Sequence, residues 1–428
     1  MEFKFYSLIN NNLSFKLKFQ IIKKRKKMKN HAGLEYIRSL IDRGENVLRQ
    51  IEESGRAPNH KKILDRRWSL KETAELVGRT TSSLLKVQNQ LINEGLLDNI
   101  EKNNNRITGY TLKQINQFRQ HFKTFPRRDP EVDQCLTLAI QTFKGGVGKS
   151  VTSVAVAQYF TTLGYRVLFI DMDSQASSTS SFGYIPDRDI KDENTLLPYF
   201  KGEQNTLEYC IRKTYWEGLD IIPSNLQLYN LELGIAEEIK NIPTIEKSFL
   251  FSELKHGIET VKNSYDVVIM DSPPALGFTS MNILCAADAL VIPTPPALYE
   301  FSSTVQYLKM IENVIEMIAP KKEFHFIKIL ATDVFPNQTN HREFLPLMQD
   351  VFGFHMMSNY FLHTTEIGNA AIDFQTALEV RRPQKRALNI INAFCKEIEI
   401  EVWKTWPSKI KKLEKQGKFV LGGENVYA

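Results

Sequence analysis

Cysteine is scarce in this sequence, and the four cysteines lie far apart at Cys135, Cys210, Cys285 and Cys395. None forms a C-x-x-C pair, which excludes a disulfide framework and a clustered metal site. We expect these thiols to act as small apolar residues in a reducing compartment. Long apolar runs are also missing, since none approaches the roughly 20 residues that a membrane-spanning helix needs. A membrane location is therefore not expected.

A secretory signal is missing from the first residues as well. The apolar stretch at 3–22 is followed, not preceded, by its main basic cluster, Lys23 to Lys27. A signal peptide has the reverse order. We expect residues 1–30 to be a basic arm without a fold of its own, and Met28 is an alternative start. A nucleic-acid-binding arm is the functional alternative.

Length and composition set broad bounds on the architecture. The chain has 428 residues and 42% apolar content, enough to bury a sizeable core in two or three domains. Its net charge is +6. Such a mildly basic chain permits contact with nucleic acid but does not require it.

The most informative stretch is QTFKGGVGKS at residues 141–150, which lies between an apolar β-type run and a helical run that starts at Val151. Strand, glycine-rich loop and helix form the context of a phosphate-binding loop. Glycines let the backbone N–H groups approach phosphate oxygens, and the helix directs its positive end at the same anion. A plain glycine-rich turn with surface lysines is the alternative. The predicted nucleotide-binding residues are Lys144, Gly145, Gly146, Val147, Gly148, Lys149, Ser150 and Val151.

The loop departs from the common pattern G-x-x-x-x-G-K-[ST], because Phe143 stands where the first glycine would fall and Lys144 adds a second lysine. KGGVGKS resembles the deviant Walker A box of the ParA/MinD family of dimeric ATPases. In that family the extra lysine crosses to the partner's nucleotide, and the resemblance implies this role for Lys144. ATP and Mg²⁺ are the ligands implied. Lys149 would reach the β- and γ-phosphates, and the Ser150 hydroxyl would bind Mg²⁺.

Carboxylates follow two further apolar runs. Asp171 and Asp173 alternate past Val167–Ile170, and Asp271 ends Val267–Met270. Such residues beside a triphosphate favour Mg²⁺ support and water positioning, although a lone carboxylate at a strand end is often structural. DMDSQ resembles the family's D-x-D-P-Q motif, with Ser174 where proline is usual, and VVIMDSPP resembles its Walker B strand. The resemblance implies that Asp173 orients the attacking water, that Asp171 acts in the metal's outer shell and that Asp271 holds Mg²⁺.

Apolar β-type runs recur in the last two thirds of the chain and alternate with helical segments. The predicted strands are 136–140, 167–170, 219–222, 267–270, 289–292 and 326–330. Alternation of this kind indicates an α/β fold, here a P-loop NTPase with a mostly parallel sheet covered by helices on both faces. Ligands then bind at the carboxyl ends of the strands. We assign residues 132–428 to this ATPase domain, with a basic C-terminal region.

The N-terminal third is predicted to hold smaller elements. Residues 31–58 contain an amphipathic helix, which packs on the neighbouring domain or pairs with a second copy. Residues 66–124 form a winged helix-turn-helix domain: a capping box at Ser69 and Glu72, a turn at Gly78, a second helix opened by Thr80, and a wing with Arg106 at its tip. Any two short helices joined by a glycine turn share this pattern. Residues 125–131 are expected to be a linker.

Two sets of residues are candidates for DNA contact. The helix-turn-helix set suits phosphates and base edges, with Gln88 among the amides that read adenine; it comprises Arg79, Thr80, Thr81, Ser82, Ser83, Lys86 and Arg106. The second set would bind phosphates without sequence preference, although a solvated charged face is the alternative. It comprises Arg381, Arg382, Lys385 and Arg386 near a helix start at Pro383.

The resemblance favours a ParA-type plasmid partition ATPase of the larger form, which carries an N-terminal helix-turn-helix. It implies an ATP-bound homodimer that binds non-specific DNA, a ParB-type centromere-binding partner that stimulates hydrolysis, and autorepression at an operator. The expected location is the cytoplasm, associated with the nucleoid. A MinD-like membrane cycle is the first alternative, but Pro407 interrupts the amphipathic C-terminal helix that it needs. A transcription regulator with an ATP-binding module is the second, and the scattered cysteines speak against a redox relative.

Overall fold

The computed structural model describes residues 34–53, 62–104, 106–124, 127–238, 249–372, 375–381 and 383–415. The chain divides into two compact units, one ending at Ala57 and one beginning at Pro58. The first unit contains helix α1, Leu34–Glu53, so the predicted amphipathic helix is present. What its apolar face packs against stays a prediction. The arm at 1–30 lies outside the described residues.

The second unit begins with three short helices and a two-stranded hairpin. The helices are α2 (Leu70–Val77), α3 (Thr81–Asn93) and α4 (Leu112–His121). Between α3 and α4, β1 (Lys102–Asn103) pairs antiparallel with β2 (Arg106–Ile107). The predicted order of helix, turn, helix, hairpin and helix is therefore observed.

Local hydrogen bonds explain the boundaries of α2 and α3. The Ser69 backbone N–H donates to Glu72 Oε2 at 2.8 Å, and the Glu72 N–H donates to Ser69 Oγ at 3.3 Å, which is the predicted capping box. Gly78 ends α2 with φ +73°, a left-handed conformation that favours glycine. Thr80 then caps α3 by accepting the Ser83 N–H at 3.2 Å. The turn at residues 78–80 is thus fixed by its own sequence.

The predicted position of Arg106 in the wing is wrong. Arg106 does not lie at the tip but opens the second strand, opposite Asn103. The strand ends at Ile107 because Gly109 takes φ +128° and redirects the chain. Tyr110 pairs instead with Trp68, just ahead of α2. This pairing closes the small domain on itself.

A seven-stranded sheet forms the centre of the second unit. Its order is β5-β6-β4-β7-β3-β8-β9, and β5 is its antiparallel strand. The strands are β3 (Leu136–Ile140), β4 (Val167–Asp171), β5 (Arg212–Lys213), β6 (Leu219–Ile222), β7 (Val267–Asp271), β8 (Ala289–Thr294) and β9 (Phe326–Ala331). The predicted mostly parallel α/β sheet is confirmed.

Helices cover both faces of this sheet. They are α5 (Lys149–Thr162), α6 (Ser177–Ser181), α7 (Pro186–Asp189), α8 (Leu197–Phe200), α9 (Tyr229–Glu238), α10 (Glu253–Glu259), α11 (Phe278–Ala286), α12 (Leu298–Ile318), α13 (Thr339–Phe352), α14 (Thr365–Ile372), α15 (Lys385–Lys404) and α16 (Pro407–Lys415). Successive residues of the central strands enter opposite core layers. In β7, for example, Val267 and Ile269 enter one layer, and Val268 and Met270 enter the other.

Two predicted helix starts are corrected. Helix α5 begins at Lys149, two residues before the expected start, because Gly148 caps it in the left-handed region. Helix α15 begins at Lys385 and not at Pro383, since Gln384 is its extended N-cap. Pro407 interrupts the C-terminal segment as predicted, because α15 ends at Lys404 and Pro407 opens the separate helix α16, a position where its missing N–H costs nothing.

Two arginines join the helix-turn-helix to the end of α5. Arg119 is fully buried, and its Nη2 donates to Leu76 O at 3.2 Å and to Thr162 O at 2.7 Å. Arg127 donates from Nη2 to the same Leu76 carbonyl at 2.9 Å and from Nε to Leu163 O. The last carbonyls of a helix have no partner within the helix, so these guanidinium groups satisfy both helix ends. Part of the predicted linker thus packs against the domains.

Replacing Arg119 should destabilise the whole unit. We expect Arg119→Ala to cost about 2–4 kcal/mol, because it leaves buried helix-end carbonyls without donors. Urea unfolding of the purified chain measures this loss. Arg79→Ala is the matched control, since its partly stacked guanidinium is exposed beside Phe122, and it should change stability by less than about 0.5 kcal/mol. Equal effects of the two variants would contradict the bridging role.

Candidate functional site

The phosphate-binding loop connects β3 to α5 at the centre of the sheet. Gly146 and Gly148 adopt φ +74° and +85°, which side chains with a Cβ rarely tolerate. Gly148 turns the chain directly into α5, so the helix begins inside the loop. The free N–H groups of the first helical turn and the helix dipole therefore meet at this loop. This arrangement suits an anion.

The Lys149 side chain connects the two ends of the loop. Its Nζ donates to the carbonyl oxygen of Lys144 at 2.7 Å, and its side chain is buried. Burial lowers the pKa of Lys149, while the charges of Asp271 and Asp173 oppose this shift. The ammonium group thus lies within the curve of the loop, where it can exchange a carbonyl for a phosphate oxygen. On the far side, the Thr332 hydroxyl donates to Val147 O at 2.8 Å.

Two carboxylates lie side by side at the carboxyl edge of the sheet. Asp171 of β4 is the register partner of Asp271 of β7, and both are fully buried. Asp171 accepts hydrogen bonds from the Thr179 N–H at 2.8 Å and hydroxyl at 2.7 Å, and from the Asp173 N–H at 3.1 Å. Burial, followed by the charge of Asp271, raises the pKa of Asp171 to about 8. The pair therefore forms a strong site for a proton or a cation.

Asp271 is surrounded by hydroxyl groups. Ser153 Oγ donates to its Oδ1 at 3.0 Å and Ser178 Oγ donates to its Oδ2 at 2.7 Å. Carboxylate and hydroxyl oxygens are hard ligands that suit Mg²⁺, which takes one or two carboxylates and completes its shell with phosphate and water. Within the described ranges no cluster of three His, Cys, Asp or Glu could hold a metal alone. The residues present thus fit a Mg²⁺ that arrives with a nucleotide.

Asp173 follows Asp171 by two residues, just past the end of β4. Its Oδ1 accepts the Gln175 N–H at 2.9 Å, which holds the carboxylate beside the loop. Burial raises the pKa of Asp173, and the nearby charge of Lys149 opposes the rise. A cavity of about 200 Å³ adjoins it, between the segments that follow β4, β6 and β7. The carboxylate therefore borders both the loop and an open volume.

Several site contacts were not anticipated from the sequence. Glu232 of α9 accepts the N–H groups of Phe278 and Thr279 at 2.7 and 2.9 Å and so caps α11 just after the Asp271 segment. Glu300 of α12 accepts from Lys144 Nζ at 2.7 Å. Neither glutamate belongs to a short motif, because each meets its partner only through the fold. Ser153 had a local signal, since it lies four residues after Lys149 on the same helix face.

The helix-turn-helix candidates lie at the start of α3. Thr81, Ser82 and Lys86 are exposed there, whereas the Thr80 hydroxyl already caps the helix. The hydroxyls of Ser82 and Ser83 lie 3.0 and 2.8 Å from that of Thr80. Gln88 is buried and accepts the Tyr110 hydroxyl at 2.7 Å, so the expectation that it reads adenine is wrong. The remaining polar side chains of this surface stay candidates.

The second basic set is divided by its surroundings. Arg381 lies 3.8 Å from the Asp65 carboxylate, which neutralises part of its charge. Lys385 and Arg386 are exposed in the first turn of α15. Arg382 lies outside the described residues.

No helix among the described ranges is long and apolar enough to cross a membrane.

Comparison with known proteins places this chain in a family. The family AAA_31, described as an AAA domain, matches residues 136–324. Protein SopA of Escherichia coli strain K12 is 32% identical over 384 residues, which cover 85% of this chain and 96% of SopA. This chain belongs to the ParA-type family of partition ATPases. The family predicted from the Walker A, D-x-D and Walker B segments is therefore confirmed.

Solved structures agree with this ParA-type fold. A structure titled Partition Protein has a TM-score of 0.60, with 17% identity, and covers 86% of this chain and 98% of its own. An ATP complex of a McdA variant from Cyanothece has a TM-score of 0.53, with 20% identity, and covers 62% of this chain and 96% of its own. At these identities the likeness concerns the fold alone.

The buried carboxylate pair predicts a pH dependence. The pKa of Asp171 is about 8 in the folded chain, above its ordinary value, so the folded state keeps a proton that the unfolded state loses. The free energy of unfolding of the nucleotide-free chain should therefore fall as pH rises from about 5 to about 9. We expect Asp171→Asn to flatten this slope, a difference on the order of 2–5 kcal/mol over that range.

Urea unfolding in EDTA at several pH values measures the slope. Asp98→Asn is the control, because Asp98 lies on the surface and its pKa is lowered by hydrogen bonds from Lys113 and Gln117. It should keep the wild-type slope. A slope that is the same in Asp171→Asn and wild type would contradict a buried, protonated pair.

Proposed function

We propose that this chain is a DNA partition ATPase that hydrolyses ATP to ADP and phosphate, with Mg²⁺ as cofactor. The glycine-rich loop between β3 and α5, beside the Asp271 carboxylate that accepts hydrogen bonds from the Ser153 and Ser178 hydroxyls, is the observation that carries the proposal. The McdA variant of similar fold was solved as an ATP complex, which supports the choice of nucleotide. Residues 144–151 would bind the nucleotide, with Lys149 on the β- and γ-phosphates.

The metal site follows from the same contacts. Ser150 and Asp271 would hold Mg²⁺, and Asp171 would act from outside its shell, since its oxygens already accept hydrogen bonds from Thr179 and Asp173. When bound, Mg²⁺ neutralises phosphate charge. Asp173 would orient the attacking water through its carboxylate. Phosphoryl transfer needs positioning and charge neutralisation above all, which these residues supply.

A homodimer is supported by the surface around the loop. Large apolar side chains are exposed at the carboxyl edge of the sheet: Val151, Leu226, Tyr229, Leu276, Leu298 and Tyr299. Such a rim suits burial against a second copy. In an ATP-bound sandwich dimer Lys144 would cross to the partner's nucleotide, so that hydrolysis would loosen the pair.

DNA is the proposed macromolecular ligand. Residues 66–124 would form the winged helix-turn-helix that binds an operator for autorepression, through the exposed residues at the start of α3 and Arg106. Lys385 and Arg386, with Arg381 and Arg382, would bind DNA phosphates without sequence preference. A ParB-type centromere-binding protein would stimulate hydrolysis. The cytoplasm, at the nucleoid, is the location that follows from these ligands.

The remaining boundaries belong to this proposal too. Residues 1–30 would be a basic arm, 31–58 the segment of the amphipathic helix and 125–131 the connection to the ATPase domain at 132–428.

The membrane-cycling alternative is disfavoured by the C-terminal helices. Trp406 is buried with its Nε1–H donated to Gln134 O at 2.8 Å, and Leu413 is buried as well. These side chains are engaged in the core and not presented to a bilayer.

The deciding measurement is binding to non-specific duplex DNA with ATP, with ADP and without nucleotide, at about 50 and about 200 mM salt. We expect binding with ATP alone, and a steep loss with salt because phosphate contacts release counterions. Lys385→Ala combined with Arg386→Ala should lower the slope of log K against log salt by about 2.

The control is Lys321→Ala, an exposed lysine outside the basic set, which should leave the slope unchanged. Binding that is indifferent to nucleotide would contradict the partition cycle and favour the transcription regulator. Binding to vesicles in place of DNA would favour the membrane alternative.

A further inference from the structure

The two lysines of the phosphate loop are both engaged within their own chain. Lys149 Nζ is bound to the Lys144 carbonyl, and Lys144 Nζ lies 2.7 Å from Glu300 Oε1. The Lys144 and Glu300 side chains are 33% and 23% exposed. They form an ion pair at the rim of the site, between the loop after β3 and the first turn of α12.

Glu300 is held on a fixed scaffold. It lies in the first turn of α12, where the helix dipole favours a carboxylate. Its carbonyl accepts the Thr304 hydroxyl at 3.0 Å, and that hydroxyl lies 2.9 Å from the Thr294 hydroxyl at the end of β8. The helix backbone that carries Glu300 is therefore tied to the sheet independently of Lys144.

The exposed neighbours of this pair belong to the proposed dimer rim. Leu298 and Tyr299, directly before Glu300, are 62% and 79% exposed. A second copy bound to this rim would lie close to Lys144, which in the single chain is paired with Glu300. The ammonium cannot keep its 2.7 Å contact with Glu300 and also reach a phosphate in the partner.

We infer that Glu300 is a positioning residue that restrains Lys144 in its own chain until the ATP dimer forms. The inference rests on the proposed function, in which Lys144 serves the partner's nucleotide. The Lys144–Glu300 ion pair of each protomer must break when the dimer closes, so each of these two pairs opposes association. Partly exposed pairs of this kind change an equilibrium by up to about fivefold each. Loss of both should tighten the ATP dimer about 3- to 20-fold.

The first experiment measures the contact itself, without nucleotide and at low protein concentration. Pulses of an amine-acetylating reagent, read by mass spectrometry, report how freely the Lys144 amine reacts. We expect Glu300→Gln to raise the labelling rate of Lys144 about threefold or more, because the ion pair that holds the amine at 2.7 Å is removed. Glu300→Asp, which keeps the charge, should stay closer to wild type.

Labelling of Lys321 is the internal control and should be the same in each variant. An unchanged Lys144 rate in Glu300→Gln would overturn the restraint, whatever the chain does with ATP. A general rise at all lysines would mean a loosened fold and would overturn it as well.

The second experiment measures the ATP dimer by sedimentation equilibrium. Glu300→Gln should dimerise at lower protein concentration than wild type, and Glu300→Asp should not. In a Lys144→Ala background the Glu300→Gln change should have no further effect, since the restrained group is gone. An unshifted dimerisation midpoint in Glu300→Gln would overturn the inference while leaving the partition proposal intact. A wild-type chain that forms no dimer with ATP would overturn the proposed function, and the role of Glu300 with it.

Discussion

Two carboxylates without access to water constrain this structure more than any other interaction. Asp171 and Asp271 end neighbouring parallel strands in register, so the sheet itself brings their charges together. Neither can be fully ionised there at low cost, because burial and mutual repulsion both disfavour the charged forms. The neighbouring residues offset part of this cost with hydrogen bonds and positive charge. Serine hydroxyls donate to Asp271, a threonine hydroxyl and backbone N–H groups donate to Asp171, and Lys149 supplies a nearby positive charge.

The same helix that begins at the phosphate loop links this site to the small N-terminal domain. Its first turn contributes Lys149 and Ser150, and its last carbonyls accept from Arg119 and Arg127. Both guanidinium groups also bind the Leu76 carbonyl at the end of α2. The end of α5 and the end of α2 are therefore joined through direct hydrogen bonds to the same two side chains. The connection between the domains is a packed interface and not a loose tether.

Charge is distributed unequally over the rest of the surface. The Lys144 ammonium is held by Glu300 and Arg381 lies beside Asp65, whereas Lys385 and Arg386 are exposed at the start of α15. Exposed cations suit a polyanion, which is contacted through many weak phosphate interactions. The loop lysines instead make defined contacts, Lys144 with Glu300 and Lys149 with the Lys144 carbonyl, which suits a site for a single triphosphate.

The sequence by itself determined the elements whose signals are local. The glycine-rich segment marked the phosphate loop, whose Gly146 and Gly148 take positive φ in the structure. Ser69 and Glu72 marked a helix start, and apolar runs ending in aspartate marked the strands of the site. The tertiary structure decided the contacts between distant segments. Glu300 meets Lys144 across 156 positions, and Arg119 meets Thr162 across 43. Gln88, a surface candidate in the helical pattern, became a buried partner of Tyr110. Local propensity reports which conformation a segment prefers, whereas only packing decides which side chains lose water and meet one another.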